Sequence, residues 1–547
     1  MHTIEIVLIM LLAVVFSGYL VRALPVSVPL PLVQIALGAI IAGVFNEGIT
    51  LDPEFFFLFF LPPLLFLDGW RIPKQGLFYD KGIILQLTIG LVIFTVLGAG
   101  LLIHWMIPAM PLPVAFALAA IVSPTDAVAV SAICARVPMP KRLMHILEGE
   151  SLLNDASGLV CFRFAVAAVL TGGFSLASAS LTFLWLAVGG LSIGVVVTLS
   201  ISRLNQWISR KFGEEEGLPI MVSLLLPFAS YLLAEYIHAS GILAAVSAGI
   251  TMSYVEFSGR ALATTRIQRT VVWNTVQFAL NGLMFILLGE QLPGILSNAV
   301  VSVSESGHFN PWWLLLYTLV INFVLAVLRF SWVWLSLRWN RYFALHRHHK
   351  EAYSPPWRLV LAMSLSGVRG AITLAGILTL PLTLQNGEAF PARDLAIFLA
   401  TGVILFSLVS ASLALPRLLR NIELPAEPES QKEEALARKC SAAAAIAAVE
   451  KAQRDLPQNP DSAQLVTDAA SRVIAFYQAR LDAQKTEIDA HRLCRADEYE
   501  RALRLAAVRA ERDEIFELGR KRSISEELSG KLIRNLDLLE SHYTASV

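Results

Sequence analysis

Residues 120–158 read AIVSPTDAVAVSAICARVPMPKRLMHILEGESLLNDASG, and the fold turns on them. Asp126, Glu150 and Asp155 fall inside segments apolar enough to span a bilayer. A charge at the centre of a spanning helix costs roughly 2.5–3.5 kcal/mol on insertion scales, so its default meaning is an ion or proton pathway. Pro124 stands just before Asp126. It interrupts the helical ladder and frees backbone carbonyls where an ion can use them. On the following helix Ser151 and Asp155 are four residues apart, as are Glu150 and Asn154, so each pair lies along one stripe a turn apart. Two facing helices, one of them broken, with hydroxyl, amide and carboxylate oxygens converging, describe a site for a small hard cation.

Composition agrees. The 547 residues are 56% hydrophobic and 16% charged, with mean hydropathy +0.62, too apolar for a soluble chain of this length. The formal net charge is zero, which gives no argument for nucleic acid, and no nucleic-acid partner is expected. Charge is sparse up to about residue 420 and dense afterwards. Cys134 and Cys161 lie in or beside apolar spans, and Cys440 and Cys494 in the polar tail. Reduced thiols fit that distribution better than a disulfide framework, and none has metal-site spacing. With no nucleophile–base pair, zinc motif or phosphate loop, the chain does not read as an enzyme, and no cofactor is expected.

Apolar runs occur at roughly 4–21, 29–46, 53–68, 82–107, 112–135, 143–171, 178–202, 218–238, 240–255, 271–295, 312–336, 358–381 and 394–416. That is about thirteen helices, most near the ~20 residues a bilayer requires. The first run lacks a basic leader and a small-residue cleavage site, so it is expected to be an uncleaved span. Alternate loops carry Arg71, Lys74 and Lys81; Arg136, Lys141 and Arg142; Arg203, Arg210 and Lys211; Arg260, Arg266 and Arg269; and Arg338, Arg341, Arg347, Lys350 and Arg358. The intervening loops carry almost none, Arg393 excepted. The positive-inside rule then puts the N-terminus outside and the tail in the cytoplasm.

The fold expected is an all-α polytopic membrane protein with inverted-topology repeats. If spans one to six and eight to thirteen are repeats of opposite topology, the span holding Ser123-Pro124-Thr125-Asp126 corresponds to the twelfth. That span reads MSLSGVRGAITLAG over 363–376 and is interrupted by Gly367, Arg369, Gly370 and Gly376. Paired interrupted segments at matching positions point to a midplane transport site. Residues 1–420 therefore form a transmembrane domain, and 421–547 a cytoplasmic helical tail rich in Ala, Glu, Lys, Arg and Leu. The tail has helical composition over 431–455, 462–487 and 495–540. It reads as a solvated helical extension or a regulatory, dimer-stabilising domain.

LPPLLF at 61–66, SPTDAV at 123–128, GESLLNDASGLV at 149–160 and GVRGA at 367–371 together resemble the electroneutral branch of the monovalent cation:proton antiporter family, in its bacterial sodium/proton exchangers. The resemblance covers roughly residues 1–420, and the tail is similar to that of the subgroup with long C-termini. It implies a homodimer in the bacterial inner membrane, with a dimerisation bundle, a moving core bundle and two broken helices crossing near the midplane. It implies Na+, or K+ or Li+, and H+ as the exchanged ions. Carried over by residue, Asp155 is the ion- and proton-binding carboxylate beside Asn154. Thr125 offers a main-chain carbonyl next to Asp126, Ser151 follows Glu150, and Arg369 is the partner of Glu150. Asp68 matches an acidic position near the ion path.

Some of these residues carry two readings. Asp126 either ligates the ion or offsets the positive end of a half-helix at the break. Glu150 and Arg369 are expected to be a structural ion pair, because either charge buried alone is costly. Arg163, two turns beyond Asp155, either snorkels or pairs elsewhere, and Glu235, Glu290 and Arg329 are read as interfacial. The histidines around Arg347 (His346, His348 and His349) are read as part of a basic loop rather than a metal site. With Glu150 held by its arginine, Asp155 is the one carboxylate free to exchange partners. Competition of Na+ and H+ for it gives one-for-one antiport. The other readings are a K+/H+ exchanger on the same scaffold, a channel, and a membrane sensor that binds a cation without flux.

Overall fold

The computed structural model describes residues 2–23, 28–45, 53–72, 81–134, 139, 141–171, 176–213, 217–257, 263–297, 312–346, 357–384, 387–420, 428–455, 460–482, 487–521, 528, 532–533 and 535–540. Lys74, Arg136, Arg260, Arg347, His348, His349 and Lys350 lie outside them. Two compact units are present, Met1–Ile422 and Glu423–Val547.

The described secondary structure of the first unit is helical, joined by short non-helical segments and with an isolated bridge between Thr383 and Ala389. Its helices are α1 (His2–Ala23), α2 (Leu30–Phe45), α3 (Pro53–Arg71), α4 (Lys81–Leu85), α5 (Val92–Met106), α6 (Leu112–Val122), α7 (Ala127–Cys134) and α8 (Lys141–Thr171). They continue as α9 (Leu176–Phe212), α10 (Leu218–Tyr236), α11 (Gly241–Phe257), α12 (Ala263–Ser297), α13 (Trp312–His346), α14 (Trp357–Leu365), α15 (Ala371–Leu378) and α16 (Arg393–Leu419). Eight of the described helices are long and apolar enough to cross a membrane.

Several helices outrun the apolar stretch that nucleates them. α9 has 37 residues and α12 and α13 have 35 each. At 1.5 Å per residue such lengths exceed the ~30 Å hydrocarbon core. Their ends therefore carry Arg203, Arg210, Arg266, Arg269 and Arg338 inside the helix, where the sequence suggested loops. A π-helical turn, Gln86–Leu91, joins α4 to α5. There the Trp332 indole donates to the Gln86 carbonyl at 3.1 Å and the Ser336 hydroxyl to the Gln86 side chain at 2.6 Å.

Two bundles emerge from the packing. In one, α3 lies along α11, α2 along α12, and α9 along α11, with α1 and α10 beside them. In the other, α6 packs against α5 and α8, while α13 and α14 pack against α16. Contacts between the bundles are fewer and run through α3 and α12 against α15, α12 against α16, α3 and α11 against α8, and α2 against α7. Backbones in the first bundle approach closely because small residues permit it. A Cβ on Gly289 would fall on the Ile35 carbonyl, and one on Gly38 would fall on the Ile286 carbonyl, so α2 and α12 interlock reciprocally.

The second unit holds α17 (Pro428–Asp455) packed on α18 (Pro460–Asp482), and α19 (Glu487–Arg520). Arg512 of α19 reaches Glu540 and, at 2.9 Å, Asp537.

Gly289→Leu should force α2 and α12 apart, at the ~1–3 kcal/mol typical of overpacking. Gly43→Leu, where a Cβ meets nothing within 4 Å, should be near neutral. Thermal unfolding of the two variants in detergent compares them, and equal stability would contradict the interlock.

Candidate functional site

Two helices unwind at the same place. α6 ends at Val122, residues 123–126 run non-helically, and α7 starts at Ala127. α14 ends at Leu365, residues 366–370 are unwound, and α15 starts at Ala371. Pro124 has no amide hydrogen to continue the first ladder. The two breaks touch, the Asp126 amide donating to the Val368 carbonyl at 2.7 Å. Gly370 has no room for a side chain, since a Cβ there would fall on the Asp126 carboxylate.

Three of the four half-helix ends are answered by side chains. The Asp126 Oδ1 accepts from the Ala129 amide at 3.1 Å, capping α7, so the half-helix role read for Asp126 is a feature of the structure. Arg369 is buried and donates through Nε to the Val122 carbonyl at 2.8 Å and through Nη1 to the Gly367 carbonyl. Those are the negative ends of α6 and α14, where a cation is favourable.

α8 runs past this crossing as one continuous helix of 31 residues. The Ser151 hydroxyl donates to the Thr125 carbonyl at 2.8 Å, and its oxygen accepts from the Ala127 amide at 3.3 Å. The Asn154 amide donates to the Thr125 hydroxyl at 3.0 Å, which in turn donates to Glu150 at 3.4 Å. That chain turns the Asn154 Oδ1 away, buried and without a hydrogen-bond partner among the described residues.

The partner of Glu150 is Arg329, not Arg369. Arg329 Nη2 donates to Glu150 Oε2 at 2.7 Å and Nη1 to Oε1, a bidentate pair in which both residues are buried. Arg329 Nε also donates to the Met363 carbonyl at 2.9 Å. Arg369 is instead occupied by the broken-helix carbonyls. Arg329 looked interfacial because its apolar run seemed to stop near residue 336, whereas α13 continues to His346 and places it mid-helix. Glu290 is buried as well rather than interfacial. An arginine inside an uninterrupted apolar run is the signal that identifies such a residue.

Asp155, Asp126, Thr125, Ser151 and Asp68 all line one cavity of about 840 Å³. The Asp155 carboxylate is buried and accepts no hydrogen bond from the described residues. Asp68, on α3, faces the same space. Three residues on, Arg71 is held by the side chains of α12, donating to Gln277 at 2.6 Å and to Asn274. Glu148 and His145 of α8 also line the cavity; of these last five residues, sequence reasoning named only Arg71, as a basic loop residue rather than a cavity residue. Carboxylate, hydroxyl and carbonyl oxygens around a water-accessible space suit a hard monovalent cation.

A family model described as the transmembrane sodium/hydrogen exchanger matches residues 9–421. The chain belongs to the sodium/hydrogen exchanger family. It is 43% identical over 541 residues to an uncharacterized Na+/H+ exchanger of Escherichia coli strain K12, covering 98% of both chains. It is 45% identical over 415 residues to a sodium, potassium, lithium and rubidium/H+ antiporter of Bacillus pumilus, covering 75% of this chain and 60% of that protein. Its fold matches a sodium proton antiporter of Methanocaldococcus jannaschii with TM-score 0.55 and 16% identity, over 77% of this chain and 99% of that one. The exchanger is thus a multi-pass membrane transporter whose two broken helices cross beside α8.

In this exchanger Glu150→Gln or Arg329→Ala alone should strand a buried charge, at roughly 3–5 kcal/mol. The double change should lose less than the two single losses combined. Yield and thermal stability in detergent provide the readout, and strict additivity would show that the pair is not coupled.

Proposed function

We propose that Asp155 is the carboxylate at which a cation and a proton compete, so that each cycle moves one cation one way and one proton the other. The observation that carries this reading is that Glu150 is fully engaged by Arg329 while Asp155 lines the cavity with no hydrogen-bond partner among the described residues. Thr125, Ser151, Asn154 and Asp126 supply the neighbouring oxygens. Na+ is the exchanged cation, and the name of the Bacillus pumilus relative supports K+ and Li+ as further candidates. A bare buried carboxylate does not cross the barrier between the two facings, whereas one neutralised by Na+ or H+ does. Alternating access then comes from the bundle containing α8 moving against the bundle containing α3 and α12.

Basic helix ends at Arg203, Arg210, Lys211, Arg266, Arg269 and Arg338 support a cytoplasmic tail and an external N-terminus. The protein functions as a homodimer in the bacterial inner membrane, and the helical tail is regulatory. Asp68 contributes to the ion path from the cavity wall.

Asp155→Asn should abolish Na+-driven proton flux in proteoliposomes while the protein stays folded, because the amide has nearly the same shape. Retention of a quarter of the flux would sink the assignment. A sensor predicts Na+ binding with no flux in wild type, and a channel predicts Na+ flux with no proton coupling.

Electroneutrality has its own test. An imposed potential contributes about 2.3 kcal/mol per unit charge per 100 mV, multiplied here by a net charge of zero. The equilibrium pH gradient in vesicles should track the Na+ gradient alone when a potassium ionophore clamps the potential. A gradient that shifts with the clamp would mean a second proton carrier, with Asp126 the nearest acid to suspect.

A further inference from the structure

The cavity follows α8 along Met144, His145, Glu148, Ser151, Leu152 and Asp155, and no described side chain of α8 beyond Asp155 lines it. Eight residues further on, ~12 Å along the axis, Arg163 leaves this helix and crosses to the other bundle. Its Nη2 lies 3.8 Å from Glu235 Oε1 of α10.

Glu235 is anchored. The same Oε1 accepts from the Gly241 amide at 3.2 Å, at the first residue of α11, where the helix dipole favours a carboxylate. The turn between α10 and α11 is itself fastened to α9. The Ser240 amide donates to the Leu186 carbonyl at 3.2 Å, and the Trp185 indole donates to the Ile237 carbonyl at 3.4 Å. Gly190 permits this contact, since a Cβ there would come within 2.5 Å of the Ser240 carbonyl. One bundle therefore presents a fixed carboxylate, and the helix bearing Asp155 reaches it with a long, half-exposed arm.

We infer that Arg163 and Glu235 are positioning residues for transport: they tie α8 to the α9–α11 wall at the end away from the cavity and release when the site turns to face that end. This rests on the alternating-access reading above. An exposed pair is weak, and weakness suits the role. It biases the cavity-facing arrangement by about two- to fivefold without trapping it.

The expected effect is asymmetric. When the cavity-facing form predominates, weakening it barely changes its own occupancy but multiplies that of the minor form. In vesicles of a single protein orientation, Arg163→Gln and Glu235→Gln should each lower the half-saturating Na+ concentration on the face opposite the cavity by about two- to fivefold. The cavity-face value should hardly move. Gln at 235 still offers an oxygen to the Gly241 amide, so the α11 cap is retained. The charge swap Arg163→Glu with Glu235→Arg should bring the asymmetry back toward wild type. Unchanged half-saturation on both faces in both single variants would overturn the inference.

A second measurement stands if the swap folds poorly. Arg163→Cys with Glu235→Cys, in a chain whose own cysteines are replaced, is bridged with a bifunctional thiol reagent. Exchange should stop while Na+ still binds by calorimetry. Continued exchange by the bridged protein would show that the two residues need not separate. Failure of the Asp155 reading looks different, because Asp155→Asn would then still exchange whatever happens at residue 163.

Discussion

Unwound backbone inside an apolar bundle leaves amides and carbonyls that lipid does not satisfy, and the structure around the helix crossing answers that constraint. Each break presents a carbonyl-rich end and an amide-rich end. The Asp126 amide meets the Val368 carbonyl, Ser151 closes on both Thr125 and Ala127, and Arg369 gathers the carbonyls of Val122 and Gly367. Gly370 is there because nothing larger lets the two strands of unwound chain touch. Residues that a motif search marks as ion ligands therefore also hold the crossing together. Their substitution perturbs geometry and chemistry together, which is why Asp155, with no bond to lose among the described residues, is the informative position.

Charge follows from the same arrangement. Around the crossing, Glu150, Asp126 and Asp155 stand against Arg329 and Arg369, three carboxylates against two guanidinium groups. On the proposed reading, the remainder of this set is one negative charge, the amount that a single Na+ or a single proton cancels. Arg329 satisfies both oxygens of Glu150, and Asp126 spends one oxygen on the α7 amides. Asp155 accepts no hydrogen bond from the described residues, which is why the proposed reading assigns it the remaining charge. Asp68 stands outside this set and has Arg71 within a turn on its own helix.

Much of this was legible in the chain, for reasons that differ by element. Apolar run length located the helices, because a bilayer imposes it. Pro124 and the glycines around Arg369 located both breaks, because proline removes a donor and glycine permits close approach. Helix ends were less legible: α9, α12 and α13 extend as charged, solvated turns that hydropathy alone reads as loops. The pairing of Glu150 was misassigned because two arginines compete for it, and their choice depends on which carbonyls lie nearby. That is a tertiary fact. The π-helical turn at Gln86 left no sequence signal, since its support comes from Trp332 and Ser336, some 250 residues away.

The continuity of α8 completes the picture. A helix held by 31 residues of unbroken ladder does not stretch, so Asp155 and Arg163 keep their separation whatever the bundle does. The breaks in the helical ladder are elsewhere, in the unwound segments beside α8, and contact between the two bundles is sparse. Close interlocking of α2 with α12 and of α3 with α11 makes one bundle a rigid wall. The other bundle bears on that wall through α15, α16, α7 and α8, and α8 runs unbroken between its two ends. Broken helices stand beside an unbroken one: the breaks present Thr125 and Asp126 to the cavity, and the rod carries Ser151 and Asp155.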